Sequence, residues 1–296
     1  MSTTAQGLRA LLAQPGMLVA PGAYDAIGAR LIEQAGFSAV YMTGAGTSAA
    51  RGYPDFGLIT MSEMVENAAV MARSVSIPLI ADADTGYGNE LNVTRTVREY
   101  ESRGVAGIHI EDQVAPKRCG HLDGKEVVSK AEFVSKIRAA VQARRTPDFV
   151  IIARTDSRAV LGLDEAIARA NAALEAGADI AFVEAMQSVD EVTLVPKRVA
   201  GPCLLNIVPR GRTPFTDLRE AEKLGYKLAI LPGLMLMATI EAGDALLAQL
   251  KATGVAPNAK ANVAETFRRF GADEWDALRQ RFNAGAPMDG AKKKVA

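Results

Sequence analysis

The chain has no run approaching the ~20 consecutive apolar residues that a membrane-spanning helix needs. Its opening residues, Met1 to Gln6, lack a cationic region followed by an apolar stretch, so a cytoplasmic protein without a membrane role is expected. Excess charge of either sign is also missing. With 34 basic residues against 34 acidic ones, no global field draws in nucleic acid, and a charged small molecule must be recognised locally. Cysteine is scarce: Cys119 and Cys203 cannot build a disulfide framework and fit a reducing compartment. Cys203 lies in an apolar run, where a free thiol behaves as a small buried hydrophobe. No Pro-, Gly- or Ser-rich linker and no close repeat divides the 296 residues, which suffice for one large domain.

What is present is an alternation. Short apolar runs at 17–20, 39–42, 79–82, 107–110, 149–153, 180–183, 203–206 and 228–231 read as strands. Between them, helical periods cover 26–34, 62–74, 90–103, 130–144, 163–175, 190–199 and 215–224, several stopped by Gly36, Gly104, Gly177 or Gly225. Eight strands alternating with helices predict an α/β fold, a (β/α)8 barrel of residues 1–296. Helical patterns continue beyond barrel closure, so a C-terminal appendage at about 234–285 is expected. Leu234 to Met237 read as core, and Lys292 to Lys294 as a solvated tail.

Polar residues gather at the C-terminal ends of those strands: Thr43-Gly44, Asp82-Ala83-Asp84, His109-Ile110-Glu111, Arg154, Glu184 and Asn206. In a parallel barrel these ends surround one mouth, where barrel enzymes place their chemistry. The period of two puts Asp82 with Asp84, and His109 with Glu111, on common faces. Three convergent carboxylates require a positive partner. Either they hold a hard divalent ion, Mg²⁺ or Mn²⁺, or they pair with Arg154 and Lys117 in an ion network. The run Thr43 to Ser48 is small enough to let backbone N–H groups cradle a carboxylate, or it is an ordinary tight turn. His109, between two isoleucines, is either a core histidine or part of the mouth.

The segment Lys117-Arg118-Cys119-Gly120-His121 places a thiol among cations and an imidazole, which favours thiolate and predicts a lowered pKa. It sits in the loop 114–128, long enough to act as a lid.

Together with Pro21-Gly22-Ala23-Tyr24-Asp25, Tyr53-Pro54-Asp55, Asp82 to Gly88, Glu111-Asp112-Gln113 and Ala153 to Asp156, this motif resembles the isocitrate lyase and phosphoenolpyruvate mutase superfamily. Its small bacterial branch includes 2-methylisocitrate and 2,3-dimethylmalate lyases. The resemblance implies a homotetramer of barrels that exchange a C-terminal helix. It implies a Mg²⁺ site at Asp82, Asp84 and Glu111, and a 2-oxo acid carboxylate held by Thr43, Gly44 and Ala45 with Arg154. Asp55, His109, Gly120, Glu184 and Asn206 would complete the substrate pocket, and Tyr41 would handle the hydroxyl proton. Lyases of the family carry this lid cysteine and the phosphoenolpyruvate mutases lack it. The expected reaction is therefore cleavage of a 2-hydroxy di- or tricarboxylate to a 2-oxo acid, with Cys119 as general acid and Lys117, Arg118 and His121 beside it.

Where 2-methylisocitrate lyase has a threonine, this chain has Val208, which cannot hydrogen-bond a third carboxylate. Arg210 or Arg212 is the candidate replacement. Phe182, Ile230 and Pro232 are candidates for a methyl pocket. Competing expectations are a tricarboxylate lyase, a carboxyphosphonoenolpyruvate-type phosphonomutase, an oxaloacetate-acting hydrolase or decarboxylase, and a non-catalytic carboxylate-binding barrel.

Overall fold

The computed structural model describes residues 4–214, 217–258 and 261–284. Eight parallel strands close a barrel in sequence order, with β8 returning to β1 through the register Leu18↔Leu228. They are β1 (Leu18–Ala23), β2 (Val40–Met42), β3 (Leu79–Asp82), β4 (Gly107–Glu111), β5 (Val150–Thr155), β6 (Ile180–Val183), β7 (Cys203–Asn206) and β8 (Leu228–Leu231). All eight sequence-derived strands are present, within three residues at each end.

Around them lie α1 (Thr4–Ala13), α2 (Ala26–Gln34), α3 (Gly44–Ala50), α4 (Met61–Ser74), α5 (Glu90–Ser102), α6 (Lys130–Ala143), α7 (Ser157–Leu161), α8 (Leu163–Glu175), α9 (Val189–Arg198) and α10 (Leu218–Leu224). Capping explains several starts: Thr60 and Glu63 bond reciprocally at the head of α4, and Asn89 and Asn92 at α5. Gly36, Gly104, Gly177 and Gly225 all adopt positive φ just past helix ends, as expected. The expected start of α10 at Phe215 lies outside the described residues, as do Lys292 to Lys294.

The strand period of two sorts side chains between two cores. Val40, Leu79, Ala81, Ile108, Ile110, Ile151 and Ala153 face the helices. Tyr41, Ile80, Ile152, Phe182, Leu204 and Ile230 face the barrel interior. The alternation therefore carries Asp82, His109, Glu111, Arg154 and Asn206 onto the interior face, at its C-terminal end. Helix α1, absent from the sequence reading, inserts Leu8 among the interior residues.

The chain divides into two compact units, residues 1–241 and 242–296. The division falls within α11 (Leu234–Thr253), and the second unit also holds α12 (Val263–Arg268) and α13 (Ala272–Ala284). The reading of Leu234 to Met237 as core holds only in part: no residue of α11 is fully buried and Leu234 and Met237 are exposed, but Met235 packs part-buried against the barrel core. Leu246, Leu247, Phe267, Trp275 and Phe282 of the second unit are all exposed.

Candidate active site

At the C-terminal mouth a cavity of about 150 Å³ is lined from the barrel side by Tyr41, Thr43, Ala45, Asp82, Arg154, Glu184 and Asn206. The 114–128 loop adds Lys117, Cys119, Gly120 and His121, and Asp55 enters from the segment between α3 and α4. A larger groove of about 500 Å³, on the outer face between α4 and α5, contains none of these residues. Gly44, Asp84, His109 and Glu111 stand behind the lining, buried.

Four expectations are corrected. Arg118 does not reach the cavity: it is exposed and lies over the Phe56 ring at 5.4 Å. Arg210 is also exposed, on a turn with φ of 59°, and does not line the cavity. Phe182 lies below it, stacked under the Arg154 guanidinium at 5.2 Å, so the apolar wall is made by Val208, Ile230, Pro232 and Leu236. The small-residue run is not a loop: Thr43 caps α3 by accepting from Gly46 N, and Gly44 N donates to Asp82 Oδ2 at 3.2 Å.

Lys117 is buried between two acids, its Nζ 2.6 Å from Asp55 Oδ1 and 3.0 Å from Asp84 Oδ1. Burial works against its charge, but Asp84, Asp55 and Glu111 outweigh it and raise the pKa. Arg154 grips Asp156 with both Nε (2.8 Å) and Nη2 (3.1 Å), and lies 3.2 Å from Glu111 and 3.3 Å from Glu184. Asp156 N in turn donates to Asp112 Oδ1 at 2.8 Å. Asp112 also receives Thr155 Oγ1 at 2.6 Å and Arg169 Nη1 at 3.0 Å. Nothing in the sequence pattern marks Arg169, a helix residue of α8.

Asp82 accepts from Asp84 N at 2.9 Å and lies 3.5 Å from His109 Nε2. Burial pushes its carboxyl up, but His109 when protonated, Lys117 and Arg154 hold it down at about 2. Asp84 is pushed up to about 6 by burial and by Asp82 and Asp55. Burial lowers His109 to about 4, so the ring is neutral at pH 7, 2.6 Å from the Tyr41 hydroxyl. Burial and Asp82 raise Tyr41 far above the usual phenol range, so it stays protonated.

The two readings of the carboxylates meet here. Lys117 and Arg154 do pair with acids, yet both oxygens of Glu111 are buried without a hydrogen bond, because Arg154 Nε at 3.2 Å is misaligned. An unsatisfied buried carboxylate is costly. Among the described residues no three His, Cys, Asp or Glu side chains converge tightly enough to enclose an ion directly. Hard oxygen donors of this kind fit a cation that keeps part of its water.

Cys119 faces the cavity with its backbone N donating to Asp55 O at 3.1 Å. The expected lowering of its pKa is overturned: burial and the Asp55 charge raise it, against the His121 N–H and Arg154. The flanking cations point elsewhere, so the group is a thiol. Gly120 allows this approach, since a Cβ there would sit 2.5 Å from Arg154 Nη2 and 2.6 Å from Glu184 Cγ. The loop is well tied: Gln113 donates to Arg118 O at 2.8 Å and accepts from Arg118 N at 2.9 Å. Lys125 Nζ donates to the carbonyls of Gly120 and Leu122. His121 Nε2 lies 3.4 Å from Glu184 Oε1, which with Oε2 accepts from Asn206 Nδ2.

Residues 8–251 match the family profile described as phosphoenolpyruvate phosphomutase. A 2,3-dimethylmalate lyase from Eubacterium barkeri is 53% identical over 230 residues, which are 77% of this chain and 80% of that protein. A crystal structure of 2,3-dimethylmalate lyase aligns with a TM-score of 0.91 at 43% identity, covering 98% of this chain and 99% of that one. Phosphonopyruvate hydrolase, solved in complex with oxalate and Mg²⁺, aligns with a TM-score of 0.86 at 34% identity, covering 95% and 100%. By that profile match and those identities over most of its length, the chain belongs to the family described as phosphoenolpyruvate phosphomutase, within the superfamily that also contains the isocitrate lyases.

Proposed function

We propose that the protein is a Mg²⁺-dependent carbon–carbon lyase that cleaves an alkyl-substituted malate of the 2,3-dimethylmalate type into pyruvate and a saturated carboxylic acid. One observation carries this reading above a phosphonomutase: a protonated thiol, Cys119, lines the same cavity as Arg154. A carbanion-forming cleavage needs a proton donor there, and phosphoryl migration does not.

Asp82, Asp84 and Glu111 would hold Mg²⁺, with water completing the set; the orphaned Glu111 oxygens support this, as does the Mg²⁺ complex of phosphonopyruvate hydrolase. Bound there, the ion supplies Lewis-acid charge to the oxygens of the 2-oxo acid. Thr43, Ala45 and Arg154 orient the carboxylate. Tyr41, a phenol, meets the 2-hydroxyl and relays its proton to the neutral His109 ring 2.6 Å away, and the resulting imidazolium faces the Asp82 carboxylate at 3.5 Å before releasing the proton to solvent. The C2–C3 bond breaks, C2 becomes a ketone, and the bonding electrons become an enediolate on the departing carboxylate. His121 and Asn206 stabilise that fragment electrostatically. Cys119 then gives its proton to C3 and is re-protonated from solvent. For 2,3-dimethylmalate the products are pyruvate and propionate.

Val208, Ile230, Pro232 and Leu236 form an apolar wall suited to methyl groups, with neither Arg210 nor Arg212 lining the cavity to pair a third carboxylate. The test is Mg²⁺-dependent turnover of 2,3-dimethylmalate, 2-methylisocitrate, oxaloacetate and phosphonopyruvate, with pyruvate, oxalate and phosphoenolpyruvate all read as products. Highest kcat/KM for the alkylmalate, abolished by EDTA and restored by Mg²⁺, is expected. Preference for phosphonopyruvate, or no turnover with tight oxalate binding, refutes the reading.

The exposed apolar residues of α11 to α13 support a homotetramer in which a second copy covers them. The need for a reduced Cys119 supports a cytoplasmic setting. No helix among the described residues is long and apolar enough to cross a membrane.

A further inference from the structure

Arg212, named above only as a candidate for substrate charge, has a different role. Its side chain and backbone make three contacts with the lid. The Arg212 N–H donates to His121 Nδ1 at 2.9 Å, Nε donates to His121 O at 3.0 Å, and Nη2 reaches Asp123 Oδ1 at 2.6 Å. The residues sit 91 and 89 positions apart in sequence, so the contacts join two separate barrel loops. Gly211 lets them meet. A Cβ there would lie 2.8 Å from His121 Nδ1 and 2.9 Å from its Cε1, closer than any side chain tolerates.

We propose that Arg212 is a positioning residue: the segment that follows β7 clasps the lid through it, setting the His121 ring and holding Cys119 against the cavity. The inference rests on the lyase reading for its kinetic consequence, but not for the clasp itself.

A backbone N–H can only donate, so Nδ1 of His121 accepts and the ring proton of the neutral imidazole is on Nε2. That nitrogen has no hydrogen-bond partner within the protein and lies 3.4 Å from Glu184 Oε1 at the cavity edge. It is thus a donor available to a bound anion. The guanidinium fork adds two bonds, one to a main-chain carbonyl and one to a carboxylate. Asp123 is 91% exposed, so that bridge alone contributes little. The bond to His121 O is the part that locates the lid backbone, two residues from the thiol.

The test reads lid position and catalysis separately. Cys119 alkylation by iodoacetamide, resolved from Cys203 by peptide mass spectrometry, is measured for wild type, Arg212→Ala, Arg212→Lys and Asp123→Ala, together with kcat and KM. In Arg212→Ala, alkylation rises about fivefold or more, and kcat falls about tenfold with KM within about twofold, because a displaced acid is lost mainly in the transition state. Arg212→Lys is intermediate, since an ammonium cannot hold both acceptors in the fork geometry. Asp123→Ala stays within about threefold of wild type on both readouts. Alkylation within about twofold of wild type in Arg212→Ala overturns the clasp, and faster alkylation with unchanged kcat overturns its role in positioning the acid. Should Arg212→Ala fail to fold, Arg212→Lys carries the same readouts and the same criteria. Should wild type cleave no substrate in the panel, the lyase reading fails while alkylation still decides the clasp.

Discussion

Arg169→Met isolates the buried support beneath the site. Arg169 is 3% exposed; its Nη1 lies 3.0 Å from Asp112 Oδ2 and donates to Val128 O at 2.7 Å, while Nε reaches Glu165 Oε1 at 3.0 Å. Methionine fills a similar volume without a charge. Asp112 then keeps Thr155 Oγ1 and Asp156 N as donors but loses its cation inside the protein. Breaking a buried pair from one side costs ~3–5 kcal/mol. At ~2–4 °C per kcal/mol for a domain of this size class, the melting temperature falls by roughly 6–20 °C. The Glu165 contact contributes little to that figure, because Glu165 is 30% exposed. Adding Asp112→Asn removes the stranded charge, so Arg169→Met/Asp112→Asn is expected to recover at least ~1 kcal/mol over the single variant. Differential scanning calorimetry of the four proteins forms the cycle. A loss under ~1 kcal/mol in Arg169→Met, or strict additivity of the two substitutions, refutes the claim that the pair is a buried unit supporting Asp156 and Arg154.

Cys119→Ser lowers kcat for cleavage by ~10²–10⁴ if the thiol is the acid, and activity within tenfold of wild type excludes that role. Catalysis needs the protonated thiol, so rate is lost as pH rises through the Cys119 pKa; because burial raises that pKa, the basic limb lies above the ordinary ~8.5 of a free thiol. A limb near pH 7 in wild type contradicts the burial argument. Leu8→Ala, at a fully buried side chain of α1 packed among barrel-interior residues, destabilises by ~2–5 kcal/mol in urea melts with kcat unchanged; a change under ~0.5 kcal/mol shows that α1 does not plug the barrel.

The strands were readable because parallel barrel strands are buried on both faces and leave short apolar runs, and because the chemistry sits where those runs stop. Asp82, His109, Glu111, Arg154, Glu184 and Asn206 were found by that rule alone, and each lines the mouth or stands directly behind it. Helices α1, α3 and α7 were not found. Segments of five to ten residues carry too little period, and the small residues of α3 read equally well as a turn.

Local sequence determined the barrel and the identity of the reactive groups, since a period of two and a strand end are properties of neighbouring residues. Direction and burial were decided only by the tertiary structure. Lys117 and Arg118 are adjacent in the chain, yet one is buried between Asp55 and Asp84 and the other lies on an exposed phenylalanine. Arg210 and Arg212 are two apart, and one is on an exposed turn while the other grips the lid. The sign of the Cys119 shift reversed for the same reason: charge is written in the sequence, but the dielectric around it and the distance to each partner belong to the fold.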